Sequence, residues 1–239
     1  MIHSGVSIHT RADESSKFVE IYRMKCIILF TTSLFTDEKG SSMMHPDTTA
    51  RYIGAAKGIG IVATADIPVG TIVYVYDSME IVLRPDDQRL KNPLYQHLFD
   101  HFSFADKWGN RVVCWDHGRY MNHCCHPNTL SMTNGCNIVI SPIAAGDELT
   151  EDYGLWRMVK PMPLVCQKSH CRKIVGVADN PLIADACDAL ITQAIMQWRA
   201  VPQAMLPVIG ADVIAELDTF LQTGTGYQSV RGLLCAAWE

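Results

Sequence analysis

The sequence predicts a mainly β domain followed by a helical C-terminal extension. From Arg51 the chain breaks into short segments rich in β-branched and aromatic residues, with proline and glycine turns between them. After Gly176 the apolar residues recur at helical spacing instead. Composition agrees with a folded chain: of 239 residues, 48% are hydrophobic and 19% charged, enough to bury a sizeable core.

Residues 1–48 read as an N-terminal segment whose order the sequence leaves open. His3 to Lys17 is polar and unpatterned, Phe18 to Phe35 suits strand or helix, and Thr36 to Asp47 reads as a linker. The apolar run Cys26 to Phe30 stops at Thr31, Thr32 and Ser33. That is too short for a membrane span and lacks a signal-peptide core or cleavage site, so a buried strand is the expectation. The chain reads as soluble and intracellular. Nuclear, cytoplasmic and secreted-effector placement all stay open.

Residues 49–160 carry the strands. Gly60 to Ala63 and Thr71 to Tyr76 are two, with Pro68 and Gly70 in the turn between them; Met79 to Leu83 is a third. Leu90, Leu94, His97, Leu98 and His101 predict one short inserted helix. Arg111 to Trp115 and Asn137 to Ile140 are further strands. A weak echo links Asp66-Ile-Pro-Val-Gly70 with Pro142-Ile-Ala-Ala-Gly146, each ending a strand in the same kind of turn. Residues 161–176 form a short cysteine-bearing segment, and 177–239 the helical extension. There, Asn180 and Pro181 suit an N-cap and first turn, and Ile183, Cys187, Leu190, Ile191, Ala194, Ile195 and Trp198 follow a 3.6-residue period. A second helix is expected from Ala211 to Gln222, with Gly224 beyond its end.

Charge and cysteines narrow the function. A net charge of −5 lacks the basic footprint of a nucleic-acid binder, so no direct nucleic-acid contact is expected. Nine cysteines in a long chain do not suit a small secreted disulfide scaffold. They suit a reducing compartment, with some thiols in the core and some on a metal. Three segments concentrate chemistry. Lys57-Gly-Ile-Gly60 precedes a strand, and by itself is an ordinary β-turn. Arg119-Tyr-Met-Asn-His-Cys-Cys-His-Pro-Asn128 packs amides, imidazoles and thiols into ten residues, as a metal site or a ligand-holding loop would. Gly146-Asp-Glu-Leu-Thr-Glu-Asp-Tyr-Gly154 is either a solvated acidic turn or a pocket wall that ends in a tyrosine hydroxyl.

In this order the three segments resemble the motifs of the SET-domain protein methyltransferases. The likeness covers roughly Arg51 to Arg172. It implies the SET β-fold, several short sheets with a pseudoknot in which the second segment threads beneath the third. It also implies methyl transfer from S-adenosylmethionine to the side-chain amine of a protein lysine, on a histone tail or another protein. By resemblance, Lys57, Gly58, Ile59, Gly60, Arg119, Asn122, His123 and Tyr153 hold the cofactor. Tyr153 and Tyr76 are then the tyrosines of the catalytic lysine channel. Lysine is cationic near neutrality, so its amine must lose a proton, which an apolar channel favours; Tyr153 would orient it, and water can carry the proton.

The family also implies one structural zinc ion. Cys125, Cys166 and Cys171 match three of its cysteines, whereas Leu164 stands where a fourth is usual. Cys124, His126 or His170 can complete the set, or the thiols are simply buried. Cys114, Cys136, Cys187 and Cys235 read as core or surface thiols. Glu151 replaces the aromatic residue usual two positions before Tyr153. It either lies beside the channel, where it would hold an amine in its cationic form, or points to solvent. It leaves open a second reading, a catalytically silent SET-like module that binds peptides or partners. Oligomeric state is not legible.

Overall fold

The two turns that echo each other in the sequence pair with each other in space. In the computed structural model, the backbone N–H groups of Ile67 and Ile143 donate to each other's carbonyls at 2.8 and 3.0 Å. Each turn closes on a glycine in left-handed backbone, Gly70 at φ 90° and Gly146 at φ 94°, which a Cβ would oppose. The structure describes residues 43–106, 108–156, 161–166, 168–176 and 181–234. Phe18 to Phe35, Cys26, Asn180 and Cys235 lie outside these residues.

The strands form small sheets. β1 (Thr48–Gly54) and β2 (Gly58–Ala63) make an antiparallel hairpin. β3 (Ile72–Val75), β4 (Ile81–Leu83), β5 (Ser103–Ala105) and β6 (Arg111–Val113) follow. Next come β7 (Asn122–His123), β8 (Thr129–Ser131), β9 (Cys136–Val139) and β10 (Glu148–Glu151). One sheet has the order β1-β2-β10-β7, another β3-β9-β8 and a third β4-β6-β5. β11 (Met162–Pro163) and β12 (Ile174–Val175) pair separately.

The predicted inserted helix is interrupted. Two 3₁₀ turns, Gln88–Lys91 and Pro93–Tyr95, precede α1 (Gln96–Phe102). Asn92 is the break: a residue before proline is pushed out of helical backbone, and here it is extended at ψ 119°. Its side chain then caps the next turn by accepting from Leu94 N–H.

The C-terminal helices are α2 (Pro181–Ile195), α3 (Ala211–Thr223) and α4 (Arg231–Leu234). Gly224 ends α3 in left-handed backbone, as its position predicts. The period expected to reach Trp198 stops at Ile195, yet Trp198 is fully buried and its indole N–H donates to Asp218 at 2.9 Å. One core joins these helices to the sheets: Ile72, Leu130 and Ile138 pack with Ile191, Trp198 and Leu217. A second core, with Ile61, Val73, Val139 and Leu149, lies among the strands.

Candidate active site

A parallel strand pair assembles the site. β7 runs beside β10 with Asn122 opposite Thr150 and His123 opposite Glu151. Parallel strands need a long crossover, and here the residues between them include β8 and β9. The second and third motif segments are thereby brought side by side.

The glycine turn closes on the same sheet. Asn122 Nδ2 donates to the Ile59 carbonyl and to Glu148 Oε1, both at 3.0 Å. Lys57 Nζ pairs with Glu148 Oε2 at 2.6 Å. Gly58 is left-handed at φ 73°, with open space where a Cβ would point. Gly60 is the opposite case: a Cβ there would meet Ile53 Cδ1 at 2.6 Å and Asn122 Nδ2 at 3.1 Å. Lys57, Gly58, Ile59, Gly60 and Asn122 therefore form one cradle of turn backbone and fixed polar groups. Arg119 is not bonded to it. Its guanidinium donates to the carbonyls of Trp115 and Asp116.

His123 connects the cradle to Tyr153. The backbone N–H of Tyr153 donates to His123 Nδ1 at 3.1 Å, and the two rings meet at a tilt with centroids 5.5 Å apart. Asp152, buried beside them, caps the 3₁₀ turn Tyr153–Leu155 by accepting from Gly154 N–H at 2.8 Å and pairs with Arg172. The Tyr153 hydroxyl donates to the Met121 carbonyl at 2.7 Å. Burial, together with the charges of Glu151 and Glu148, pushes its pKa well above the usual phenol value. Tyr153 is thus a neutral donor.

Tyr153, Tyr76, Glu151 and Arg119 line one cavity of about 430 Å³. Tyr76 follows β3, 39% exposed, its N–H bonded to the Gly135 carbonyl at 2.8 Å. Glu151 turns inward, not to solvent. Ser131 Oγ lies 3.0 Å and Asn137 Nδ2 3.1 Å from its Oε2. Burial raises its pKa, while the bonds from Ser131, Trp156 and Asn137 oppose the rise.

The sulfurs of Cys125, Cys166 and Cys171 lie within 4.8 Å of one another, close enough for one metal ion. Cys124 Sγ is 3.9 Å from Cys166 Sγ. Backbone N–H groups face the sulfurs: Arg172 to Cys125 at 3.4 Å, Lys173 to Cys171 at 3.3 Å and His126 to Cys124 at 3.4 Å. Such donors favour thiolate. For Cys166, burial acts upward, but N–H groups and neighbouring thiols outweigh it and bring the pKa down to about 7. The donor set suits zinc. Cys114, Cys136 and Cys187 are buried thiols pushed up to about 12, by burial first.

Sequence reasoning missed several members. Ser131, Asn137 and Trp156 hold Glu151; Arg172 holds Asp152; Gln228 and Ser229, ahead of α4, line the cavity. Asn137 carried a usable signal, a lone amide within an otherwise apolar strand. Gln228 and Ser229 carried none.

With this geometry, the comparisons are specific. The SET domain family model matches residues 58–154. The histone-lysine N-methyltransferase ASHH2 of Arabidopsis thaliana is 29% identical over 148 residues, 56% of this chain and 8% of that protein. The crystal structure of KRYPTONITE in complex with mCHG DNA and SAH is 21% identical, over 51% of this chain and 27% of that one, with a TM-score of 0.38. The methyltransferase domain of human histone-lysine N-methyltransferase SETMAR is 17% identical, over 51% and 55%, with a TM-score of 0.36. The chain thus spans little more than half of the longest-covered relative and far less of the others. The matched stretch opens on the glycine cradle and closes on the Tyr153 turn, so that residues 58–154 of this chain are similar to the SET domain family.

Proposed function

We propose that this chain transfers a methyl group from S-adenosylmethionine to the side-chain amine of a protein lysine, on a histone or another protein. The observation that carries the reading is the β7–β10 pairing. It brings Asn122, which is bonded to the Ile59 carbonyl of the glycine turn, alongside the strand that leads into Tyr153, and Tyr153 lines the aromatic cavity.

The cradle suits the cofactor. Gly58 leaves space beside an exposed backbone, and Gly60 lets Asn122 and Glu148 close over the turn. When bound, S-adenosylmethionine supplies an electrophilic methyl on a positively charged sulfur. The remaining work is alignment, which converts a two-body encounter into a positioned displacement. Lys57, Gly58, Ile59, Gly60, Asn122 and His123 hold and orient the donor. The aromatic walls, Tyr76 among them, admit an aliphatic side chain and exclude water. Tyr153, a neutral phenol, fixes the Met121 carbonyl and presents its oxygen to the amine. Arg119 braces the wall. Cys125, Cys166 and Cys171 hold one structural zinc ion, with Cys124, whose sulfur lies 3.9 Å from that of Cys166, as the fourth ligand.

Titration calorimetry with S-adenosylmethionine, then transfer of labelled methyl to core histones and to a mixed protein extract, tests this. Binding followed by label on lysine is expected. Absence of binding defeats the reading; binding with no transfer to any substrate turns it to the silent peptide-binding module.

A further inference from the structure

Glu151 is chemically out of place in its cavity. Aromatic and apolar side chains, Tyr76, Tyr153, Trp156 and Met121, face the same space, and Asp100, His101 and Asp106 also line the cavity. Yet its carboxylate is drawn inward and gripped by neutral donors, Ser131, Asn137 and Trp156. Among the described residues no cation pairs with it. Arg119 reaches the cavity, but the hydrogen bonds of its guanidinium go to the carbonyls of Trp115 and Asp116 and not to Glu151. A carboxylate partly withdrawn from water, with no cation beside it among the described residues, is a site for one.

The hydrogen bonds add a second observation. Ser131 Oγ lies 3.0 Å from Glu151 Oε2 and 2.9 Å from Asn137 Oδ1. One hydroxyl proton can serve only one of these acceptors. With Glu151 ionised, Ser131 donates to it. With Glu151 protonated, the carboxyl donates to Ser131 Oγ and Ser131 donates to Asn137 Oδ1. Turning one hydroxyl accommodates both states with no heavy atom displaced. The network is therefore matched to a group that changes its protonation.

We propose that Glu151 is the cation-binding and proton-accepting group of this cavity, pairing with a primary alkylammonium and taking one of its protons. The proton-transfer half rests on the methyl-transfer reading above. In the step, an N–H bond of the ammonium breaks, its electron pair stays on nitrogen, and an O–H bond forms on Glu151. Ammonium plus carboxylate becomes amine plus carboxylic acid, with total charge unchanged. The amine then holds the lone pair that attack on a methyl carbon requires. In water the transfer runs uphill, because an ordinary amine near pKa 10.4 far exceeds a carboxylate near 4.3. Withdrawal from water narrows the gap from both sides, since it favours the neutral form of each partner, and it must outweigh the attraction within the ion pair, which favours the charged forms.

The cation half is tested without any substrate protein. n-Butylammonium and 1-butanol, of equal length, are titrated into the full chain and followed by tryptophan fluorescence, Trp156 being a partner of Glu151. The ammonium should bind at least about tenfold more tightly, and Glu151→Gln should reduce the preference to about threefold or less. Glu151→Asp, which keeps the charge, should restore part of it. Equal binding of the two probes to the unsubstituted protein overturns the site, and so does a preference that survives Glu151→Gln.

The proton half is read from single-turnover methyl transfer. Glu151→Gln should slow it by about 10²-fold or more at unchanged cofactor affinity; transfer at the original rate overturns the proton acceptor. If the unsubstituted chain transfers no methyl at all, the function reading fails, and the ammonium titration still decides the cation site.

Discussion

His123 Nε2 lies 3.2 Å from Cys125 Sγ. The other ring nitrogen accepts from the backbone N–H of Tyr153 at 3.1 Å, so the ring proton sits on Nε2 and points at the sulfur. One imidazole therefore spans the thiol cluster and the Tyr153 turn. The sulfur orients the ring, and the ring holds the backbone from which Tyr153 projects.

The thiol cluster should consequently matter to the cofactor cradle without touching it. Purified protein is expected to carry close to one zinc per chain by elemental analysis. Stripping it with a chelator, or Cys125→Ser, should weaken S-adenosylmethionine binding by on the order of tenfold, a typical effect of losing an orienting partner. Unaltered affinity in calorimetry would separate the two sites.

Gly60 has the least room of the cradle glycines. Gly60→Ala sets a methyl against Ile53 Cδ1 and against Asn122 Nδ2, which is already committed to Ile59 and Glu148. The expected cost is about 1–3 kcal/mol in urea unfolding, with loss of cofactor binding. Gly58→Ala meets no atom within 4 Å, and its cost comes from the left-handed backbone alone, about 1 kcal/mol. Equal effects of the two substitutions on cofactor affinity would argue against the cradle.

Tyr153→Phe removes the hydroxyl and leaves the Met121 carbonyl without that donor. A loss of about 1 kcal/mol in stability is expected, alongside a fall in methyl transfer of about 10²-fold or more. Circular dichroism should match that of the unsubstituted protein. Unchanged turnover would remove Tyr153 from the reaction.

What was legible in the sequence was local. Lys57-Gly-Ile-Gly60 and the Asn122-His123 pair announce themselves because their chemistry depends on adjacent residues. Gly224 announces a helix end because left-handed backbone selects glycine. Glu151 was legible as an oddity but not in direction, because its orientation depends on Ser131 and Asn137, from β8 and β9. No spacing rule connects them. The inserted helix is present at Gln96–Phe102 but shorter than the pattern of Leu90, Leu94 and Leu98 implied, because Pro93 holds Asn92 out of helical backbone. The Ile67–Ile143 bridge shows the converse, a weak echo in sequence that marked a real pairing.

Glu151 also ties stability to pH. Its folded pKa is raised by burial, against the opposing bonds from Ser131, Trp156 and Asn137. Below the unfolded value, about 4.3, the carboxyl is protonated whether the chain is folded or not. As pH rises, the unfolded chain releases its proton first, so the folded chain holds more protons and stability falls until the folded pKa is passed. Glu151→Gln has no proton to release at that position. Every other carboxylate, Asp152 included, is present in both proteins and largely cancels in their difference. The stability of Glu151→Gln relative to the unsubstituted chain should therefore grow from acid to neutral pH. Urea midpoints across that range measure it. A gap that stays flat, or shrinks toward neutrality, would mean that Glu151 is no harder to ionise in the fold than out of it.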